Sequence, residues 1–238
     1  MTSTHPRGRH ALLVLGGRSD LAFRELHGEP VYAHALRAMT EAAGPLLVEV
    51  DAADLDRVRE DVRRWRLPAT PLLREECWEE VRLSPERGLV AHDAMCPLVT
   101  TAFLRSVLEQ ADARLDTALV AFRPVTDTLK AVVDGRIQQT IDRNALAAVT
   151  SPAVVPSRVL TEATAMPPVD DFSVLVSWLR ERGEVELVRA PSLGRRVEHA
   201  RAIHLLEQLD QVGHRVRAGA GHPAGTGPAA GSMAEDRP

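Results

Sequence analysis

Ala11-Leu12-Leu13-Val14-Leu15-Gly16-Gly17-Arg18 decides the fold. Its unbroken apolar run has no polar alternation, so it reads as a strand buried on both faces, and the glycine pair ends it in a turn. After a short polar loop, Pro30 opens a segment in which Val31, His34, Ala35, Ala38 and Met39 fall at helical spacing, and Gly44-Pro45 stops it. Strand, glycine turn and helix make half of a βαβ unit. A second apolar run, Leu46 to Val50, is followed by a charged helix from Ala53 to Trp65 whose Leu55, Val58, Val62 and Trp65 share one face. The alternation predicts an α/β domain.

Further along, residues Pro68 to Arg87 are less legible, with one apolar piece at Pro71-Leu72-Leu73 and an acidic stretch around Trp78 compatible with a short helix. Leu89-Val90-Ala91 leads into His92-Asp93, a helix is expected from Thr101 to Ala113, and Ala118 to Phe122 forms another buried strand. Thr128 to Val133 and Arg136 to Ile141 flank Asp134-Gly135, a dipeptide that strongly favours a two-residue hairpin turn. Val154-Val155 reads as extended chain. A helix follows within Val169 to Arg182, with Val174, Leu175, Trp178 and Leu179 at core spacing, then a strand at Val185 to Val188 and a last helix from Val197 to Val212. Residues 215–238 are rich in Gly, Ala and Pro with little to bury and are expected to be disordered, as is a flexible start at residues 1–9.

The chain has 238 residues, 29 Lys+Arg against 33 Asp+Glu for a net charge of −4, and 45% hydrophobic residues, which suits a buried core and excludes a long disordered protein. Without a basic excess to neutralise a phosphate backbone, a dedicated nucleic-acid binder is disfavoured. No stretch is long enough to span a bilayer, and the first apolar run is too short for a secretory signal core, so a cytoplasmic protein is expected. Cys77 and Cys96 lie far apart and form neither a disulfide framework nor a cysteine zinc site. Among the nine histidines, His199 and His204 do not share a helix face, and His214 and His222 fall in or near the tail, which argues against a histidine metal site. Trp65, Trp78 and Trp178 read as core residues.

Ligands of open α/β sheets bind beyond the carboxyl ends of the strands, so the residues that close each apolar run come first. Gly16-Gly17-Arg18 offers backbone N–H groups and a guanidinium to a phosphate, although a Gly-Gly pair is more often plain turn chemistry. Asp93 closes a strand, where an acid can meet a metal ion or a ribose hydroxyl or simply cap a turn. Pro124-Val-Thr-Asp127-Thr128-Leu-Lys130 sets hydroxyls, a carboxylate and the sole lysine beside the hairpin, and Thr140-Ile-Asp142-Arg143 lies on its return. Asp170-Asp171 either belongs to a site or begins a helix.

In order and spacing these segments resemble the methylerythritol phosphate cytidylyltransferase family, the CTP-using enzymes of the non-mevalonate isoprenoid pathway. Gly28-Glu-Pro-Val31 matches its G-x-P-V turn, His92-Asp-Ala-Met-Cys-Pro97 its H-D-A-A-R-P motif, Pro124 to Lys130 its P-V-T-D-T-x-K motif, and Thr140 to Leu146 its T-x-D-R-x-x-L motif. The resemblance spans residues 11 to 210 and implies a Rossmann-like nucleotidyltransferase fold over residues 10–214. That fold has a mostly parallel central sheet flanked by helices and a protruding β-hairpin arm at about 126–146. It also implies a homodimer whose arm reaches the neighbouring subunit. By the same resemblance Gly16, Gly17 and Arg18 would bind the nucleotide, with Arg18 catalytic. Asp93 would face a Mg²⁺-bound CTP and hold the metal. Thr128, Arg143, Ser151 and Arg196 would bind the substrate phosphate, Arg143 in trans.

Departures from the pattern matter as much. The loop after the first strand is shortened, and Leu21 stands at the approximate place of the family's phosphate-directed lysine; Cys96 replaces the arginine of H-D-A-A-R-P. The Q-T-P-Q segment reads Thr150-Ser-Pro-Ala153, and the lysine of the final motif becomes Arg196, which keeps charge but not geometry. Three readings stay open: an active cytidylyltransferase with this or an altered polyol or sugar phosphate, a catalytically silent homologue serving as a dimeric binding or regulatory module, and another nucleotidyltransferase of the same fold.

Overall fold

A computed structural model describes residues 8–126 and 128–219. Asp127 of the P-V-T-D-T motif, most of the expected flexible start and the tail beyond Gly219 lie outside the described residues. The chain runs β1 (His10–Val14), β2 (Glu25–Leu26), β3 (Glu29–Pro30), α1 (Val31–Ala43), β4 (Leu46–Glu49), α2 (Leu55–Trp65), β5 (Ala69–Leu72), α3 (Arg74–Arg82) and β6 (Leu89–Asp93). It continues through α4 (Thr101–Ala113), β7 (Ala118–Pro124), β8 (Leu129–Val133), β9 (Arg136–Ile141), β10 (Ala147–Val155), α5 (Ser157–Thr161), α6 (Phe172–Arg180), β11 (Val185–Arg189) and α7 (Ala200–Gly219).

Local chemistry sets the boundaries. Pro30, with φ −54°, precedes the first residue of α1, and Gly44 at φ 82° ends it. Thr100 caps α4 by accepting the Phe103 N–H at 3.2 Å, and Asp171 caps α6 by accepting from Ser173 N at 2.8 Å and Val174 N at 3.3 Å. Asp171 is thereby accounted for as a helix start. Asp134 (φ 50°) and Gly135 (φ 74°) both take the left-handed conformation that a tight hairpin turn demands, and β8 and β9 pair antiparallel around them.

Seven strands form the main sheet in the order β11-β7-β10-β6-β1-β4-β5. All pair in parallel except β10, which runs antiparallel to both β6 and β7. Helices α1, α2, α4 and α7 cover one face, where Leu13, Leu36, Val58, Leu104 and Leu206 belong to one buried cluster. Helices α3, α5 and α6 cover the other, where Leu12, Val81, Leu160 and Leu175 meet. Both faces of β1 are therefore filled, as its continuous apolar sequence requires. Trp65, Trp78 and Trp178 pack against the margins of these clusters.

Val14 pairs with Asp93 of β6 and with Glu49 of β4, so these three strands end level on one rim. On β10 the pairing with β7 shifts between Val149 and Ala153, an irregularity that lifts Thr150 and Ser151 out of the ladder and re-aims them at that rim. The Ser151-Pro152 peptide within it is cis. Four elements differ from the sequence reading. β5 and α3 are regular where the pattern was hard to read, β10 is a nine-residue strand and not a short extended piece, and α7 continues to Gly219, past the expected start of the tail.

Candidate active site

Asp93 is the hub of the rim. Its side chain is buried, and its Oδ1 accepts from Arg18 Nε at 3.1 Å and Met95 N at 2.9 Å, while Oδ2 accepts from Arg196 Nε at 2.8 Å. Arg18 is buried as well, its Nη1 donating to the Asp170 carbonyl at 2.9 Å while Nη2 has no partner. Arg196 stays more than a third exposed and, apart from Asp93, has no partner among the described residues. Burial works against its charge, but the Asp93 carboxylate outweighs burial and raises its pKa. One carboxylate between two guanidiniums leaves this three-residue cluster with an excess positive charge, although Asp170, Asp171 and Glu198 also line the cavity beside it. Asp93, Cys96, Thr150, Asp170, Phe172 and Arg196 are among the residues lining a polar cavity of about 210 Å³.

Behind Asp93 stands a dry support. The Asp93 N–H donates to Ser151 Oγ at 2.7 Å, and the same oxygen shares a hydrogen bond with Nδ1 of the fully buried His92. Burial depresses the His92 pKa to about 4, so the ring is neutral. The sequence reading gave Ser151 to the substrate phosphate; in the structure it is 1% exposed, with its Oγ bonded to Asp93 N and His92 Nδ1 inside the fold. Thr150 Oγ1 donates to Gly194 O at 2.8 Å and lies 3.4 Å from Cys96 Sγ. Burial pushes the Cys96 thiol up to about 12, so Cys96 is an inert wall where the family pattern has an arginine.

The glycine turn differs from an open phosphate cradle. Gly16 N–H donates to the Glu49 carbonyl at 3.0 Å, and Gly17 N–H donates to Asp51 Oδ2 at 2.7 Å. A Cβ at Gly16 would stand 2.7 Å from Glu49 Oε1 and would have to displace that side chain. Glu49 is buried with Oε2 unpartnered, and desolvation raises its pKa against the pull of Arg74 and Arg18. A carboxylate of the chain thus holds the Gly17 donor that the sequence reading gave to a nucleotide phosphate. Glu49 and Asp51 were missed in the sequence, although both close the second apolar run and the strand-end rule reaches them.

The remaining expected residues sit elsewhere. Thr128 and Arg143 do not line the cavity: Thr128 is exposed at the base of the arm, and Arg143 Nη1 donates to the Thr126 carbonyl. Lys130 Nζ donates to its cross-strand neighbour Thr140 at 2.6 Å. Leu21 packs against the core. His199 accepts from Ala202 N at 3.1 Å at the start of α7, a helix-capping role.

Asp93 as arranged does not fit a resident Mg²⁺. Both of its oxygens already receive donors and two guanidiniums neutralise it, whereas the ion is bound by carboxylates whose charge is free for it. No group of three His, Cys, Asp or Glu side chains suited to a metal occurs among the described residues. In the structure the partners of the Asp93 carboxylate are Arg18, Arg196 and the Met95 N–H.

A mostly parallel sheet with a glycine turn, a buried acid and converging arginines on its carboxyl rim, and an antiparallel strand continuous with a hairpin arm, defines a Rossmann-like nucleotidyltransferase. Structures of 4-diphosphocytidyl-2C-methyl-D-erythritol synthase from Anaerococcus prevotii and 2-C-methyl-D-erythritol 4-phosphate cytidylyltransferase from Thermus thermophilus share this fold. Their TM-scores are 0.67 and 0.62 at 14% and 23% identity, covering 87% and 84% of this chain and 98% of each of theirs. The model of the 2-C-methyl-D-erythritol 4-phosphate cytidylyltransferase family matches residues 79–176. A protein of that name from Symbiobacterium thermophilum is 33% identical over 170 residues, 66% of this chain and 70% of the relative. Another from Aquifex aeolicus is 24% identical over 187 residues, 74% and 86% of the two chains. The chain belongs to the 2-C-methyl-D-erythritol 4-phosphate cytidylyltransferase family.

Proposed function

We propose that this chain transfers CMP from CTP to the phosphate of methylerythritol phosphate or a closely related polyol phosphate. An acceptor phosphate oxygen forms a bond to the α-phosphorus of CTP, the bond from that phosphorus to the bridging oxygen breaks, and pyrophosphate leaves with the electron pair. No protein nucleophile is needed; the work lies in positioning and in neutralising crowded negative charge. The observation that carries the reading is the pair of arginines meeting on Asp93 at a polar cavity, in a chain of this family.

Within that reading Arg18 offers its unpartnered Nη2 to the nucleotide and Arg196 its free terminal amines to the acceptor phosphate. Phosphate reaches the Gly16-Gly17 turn only by displacing Asp51. Ser151 positions Asp93 and so both guanidiniums. The chain acts as a cytoplasmic homodimer whose arm delivers Thr128 and Arg143 to the neighbouring subunit's cavity. No helix among the described residues is long and apolar enough to cross a membrane.

Pyrophosphate release from the full chain with CTP, Mg²⁺ and methylerythritol phosphate tests this. Release is expected, and Arg196→Ala should lower it by about 10² to 10³, the usual cost of removing one preorganised charge-stabilising donor. No release together with no heat of CTP binding would overturn the proposal and leave a dimeric module without this chemistry.

A further inference from the structure

The polar cavity beside Asp93 is lined by acids as well as by a cation. Arg196 and Glu198 both line it, whereas Val197 between them is 1% exposed, belongs to the core and donates its N–H to the Met95 carbonyl at 2.7 Å. Alternate residues thus face opposite sides, as along an extended strand, and the loop after β11 delivers one guanidinium and one carboxylate to the same space. Asp170 and Asp171 join the lining from the segment before α6, and the buried Phe172 supplies an apolar wall.

The three acids are not equivalent. Asp170 accepts from Arg74 Nη2 at 3.0 Å, and Asp171 uses Oδ1 to cap the first N–H groups of α6. Glu198 makes no hydrogen bond or ion pair among the described residues. Its charge runs against what a cavity built only for phosphate requires, because a carboxylate at the lining repels each added anionic group. Carboxylates suit hydroxyls instead, since their oxygens accept O–H donors in short, charge-assisted bonds. The cavity therefore offers one guanidinium for one phosphate and a free carboxylate for alcohol groups. At about 210 Å³ it lies below the roughly 300 to 1,000 Å³ of pockets for drug-sized ligands, so it suits a small acceptor and not a whole nucleotide.

We propose that Glu198 is a specificity-determining residue, whose carboxylate accepts the hydroxyl groups of a singly phosphorylated polyol seated by its phosphate on Arg196, and which excludes acceptors bearing a second phosphate. This role rests on the reading that the cavity seats the acceptor, and it adds how the cavity tells one acceptor from another. Discrimination then has both an attractive element, the hydroxyl bond, and a repulsive one, the charge. Glu198 is exposed and carries no contact that the fold depends on, so its replacement changes the cavity without changing the scaffold.

Calorimetric titration of the full chain, with and without CTP in Mg²⁺-free buffer, compares methylerythritol phosphate, butyl phosphate and erythritol bisphosphate. The parent is expected to bind the polyol phosphate about tenfold more tightly than butyl phosphate, the gain of one hydrogen bond to a charged group. Glu198→Ala should erase that preference and tighten the bisphosphate, two changes of opposite sign that a damaged cavity does not produce. Glu198→Gln keeps an acceptor oxygen without the charge, and should retain part of the preference while still tightening the bisphosphate. Equal binding of the polyol and butyl phosphates by the parent, a preference that survives Glu198→Ala, or no acceptor binding in either condition overturns the assignment. Pyrophosphate release is scored separately. Release with a preference indifferent to Glu198 sinks the role of Glu198 alone, whereas a Glu198-dependent preference without release sinks the transfer reading and leaves a polyol phosphate site.

Discussion

The arginines on one rim of the sheet stand in opposite electrostatic states. Arg18 and Arg196 share the buried Asp93 carboxylate, which also accepts from Met95 N while Ser151 Oγ accepts the Asp93 backbone N–H, whereas Arg123, half-buried on β7, has no ion pair among the described residues. The first pair is held rigid by the fold, and its capacity for a ligand is what Asp93 leaves over. Arg123 keeps a charge that no acid among the described residues neutralises. A cation count taken from the sequence treats the two alike; burial and partners separate them.

The largest effect should come from erasing the difference. Asp93→Ala leaves two guanidiniums at the rim without their acid and should cost about 3 to 5 kcal/mol of stability in urea denaturation, the usual penalty for breaking a buried pair. A cost near zero would mean that Arg18 and Arg196 are held no more firmly than the unpaired Arg123. Ser151→Ala removes the acceptor of the Asp93 N–H and the hydrogen bond to His92, and should destabilise by about 1 to 3 kcal/mol. It should also weaken turnover more than CTP binding, as befits a residue that aims Asp93 without touching substrate.

Proton linkage sharpens the comparison further. His92 is neutral in the fold with a pKa of about 4, below its ordinary 6.5, so between these values the unfolded chain binds the extra proton. Stability should be complete above pH 6.5 and fall as the pH drops toward 4, steepening toward about 1.4 kcal/mol per pH unit. His10, whose pKa burial also lowers, adds in the same sense, while Glu49, raised by burial, opposes them. The difference in slope between the parent and His92→Gln isolates the His92 share. A smaller effect belongs to Asp51. Asp51→Asn removes the charge that sits on the Gly17 N–H and should tighten CTP about fivefold, on the order of 1 kcal/mol, with little change in melting temperature. An unchanged affinity would place the nucleotide phosphates away from the turn.

Much of the architecture was legible because apolar runs and glycine punctuation are local signals. β1, α1, β4, α2, β7 and the hairpin fall where the pattern puts them. β10 was not, since Ala147-Ala148-Val149-Thr150-Ser151-Pro152-Ala153 is small and polar and its pairing comes from β6 and β7, far away in sequence. At the site, motif spacing located Arg18, Asp93 and Arg196, and the structure brings them together. It did not reveal that Ser151 faces inward or that Asp51 fills the turn, because both facts depend on how β10 and β4 meet β1 and β6. Arg123 escaped notice for a simpler reason: an arginine at a strand end draws attention only once its lack of a partner is visible.

The place where the arm joins the sheet has a consequence of another kind. Pro124, the last residue of β7, and Ala147, the first of β10, are paired partners across the ladder. The chain therefore departs into the arm and returns at opposed positions about 5 Å apart, a gap that a tight turn spans. Topologically the arm is an insertion in a β7–β10 hairpin, so its length and sequence are free to drift, or to be exchanged wholesale, without disturbing the register that fixes Thr150 and Ser151. Scaffold and appendage can follow separate histories within one chain.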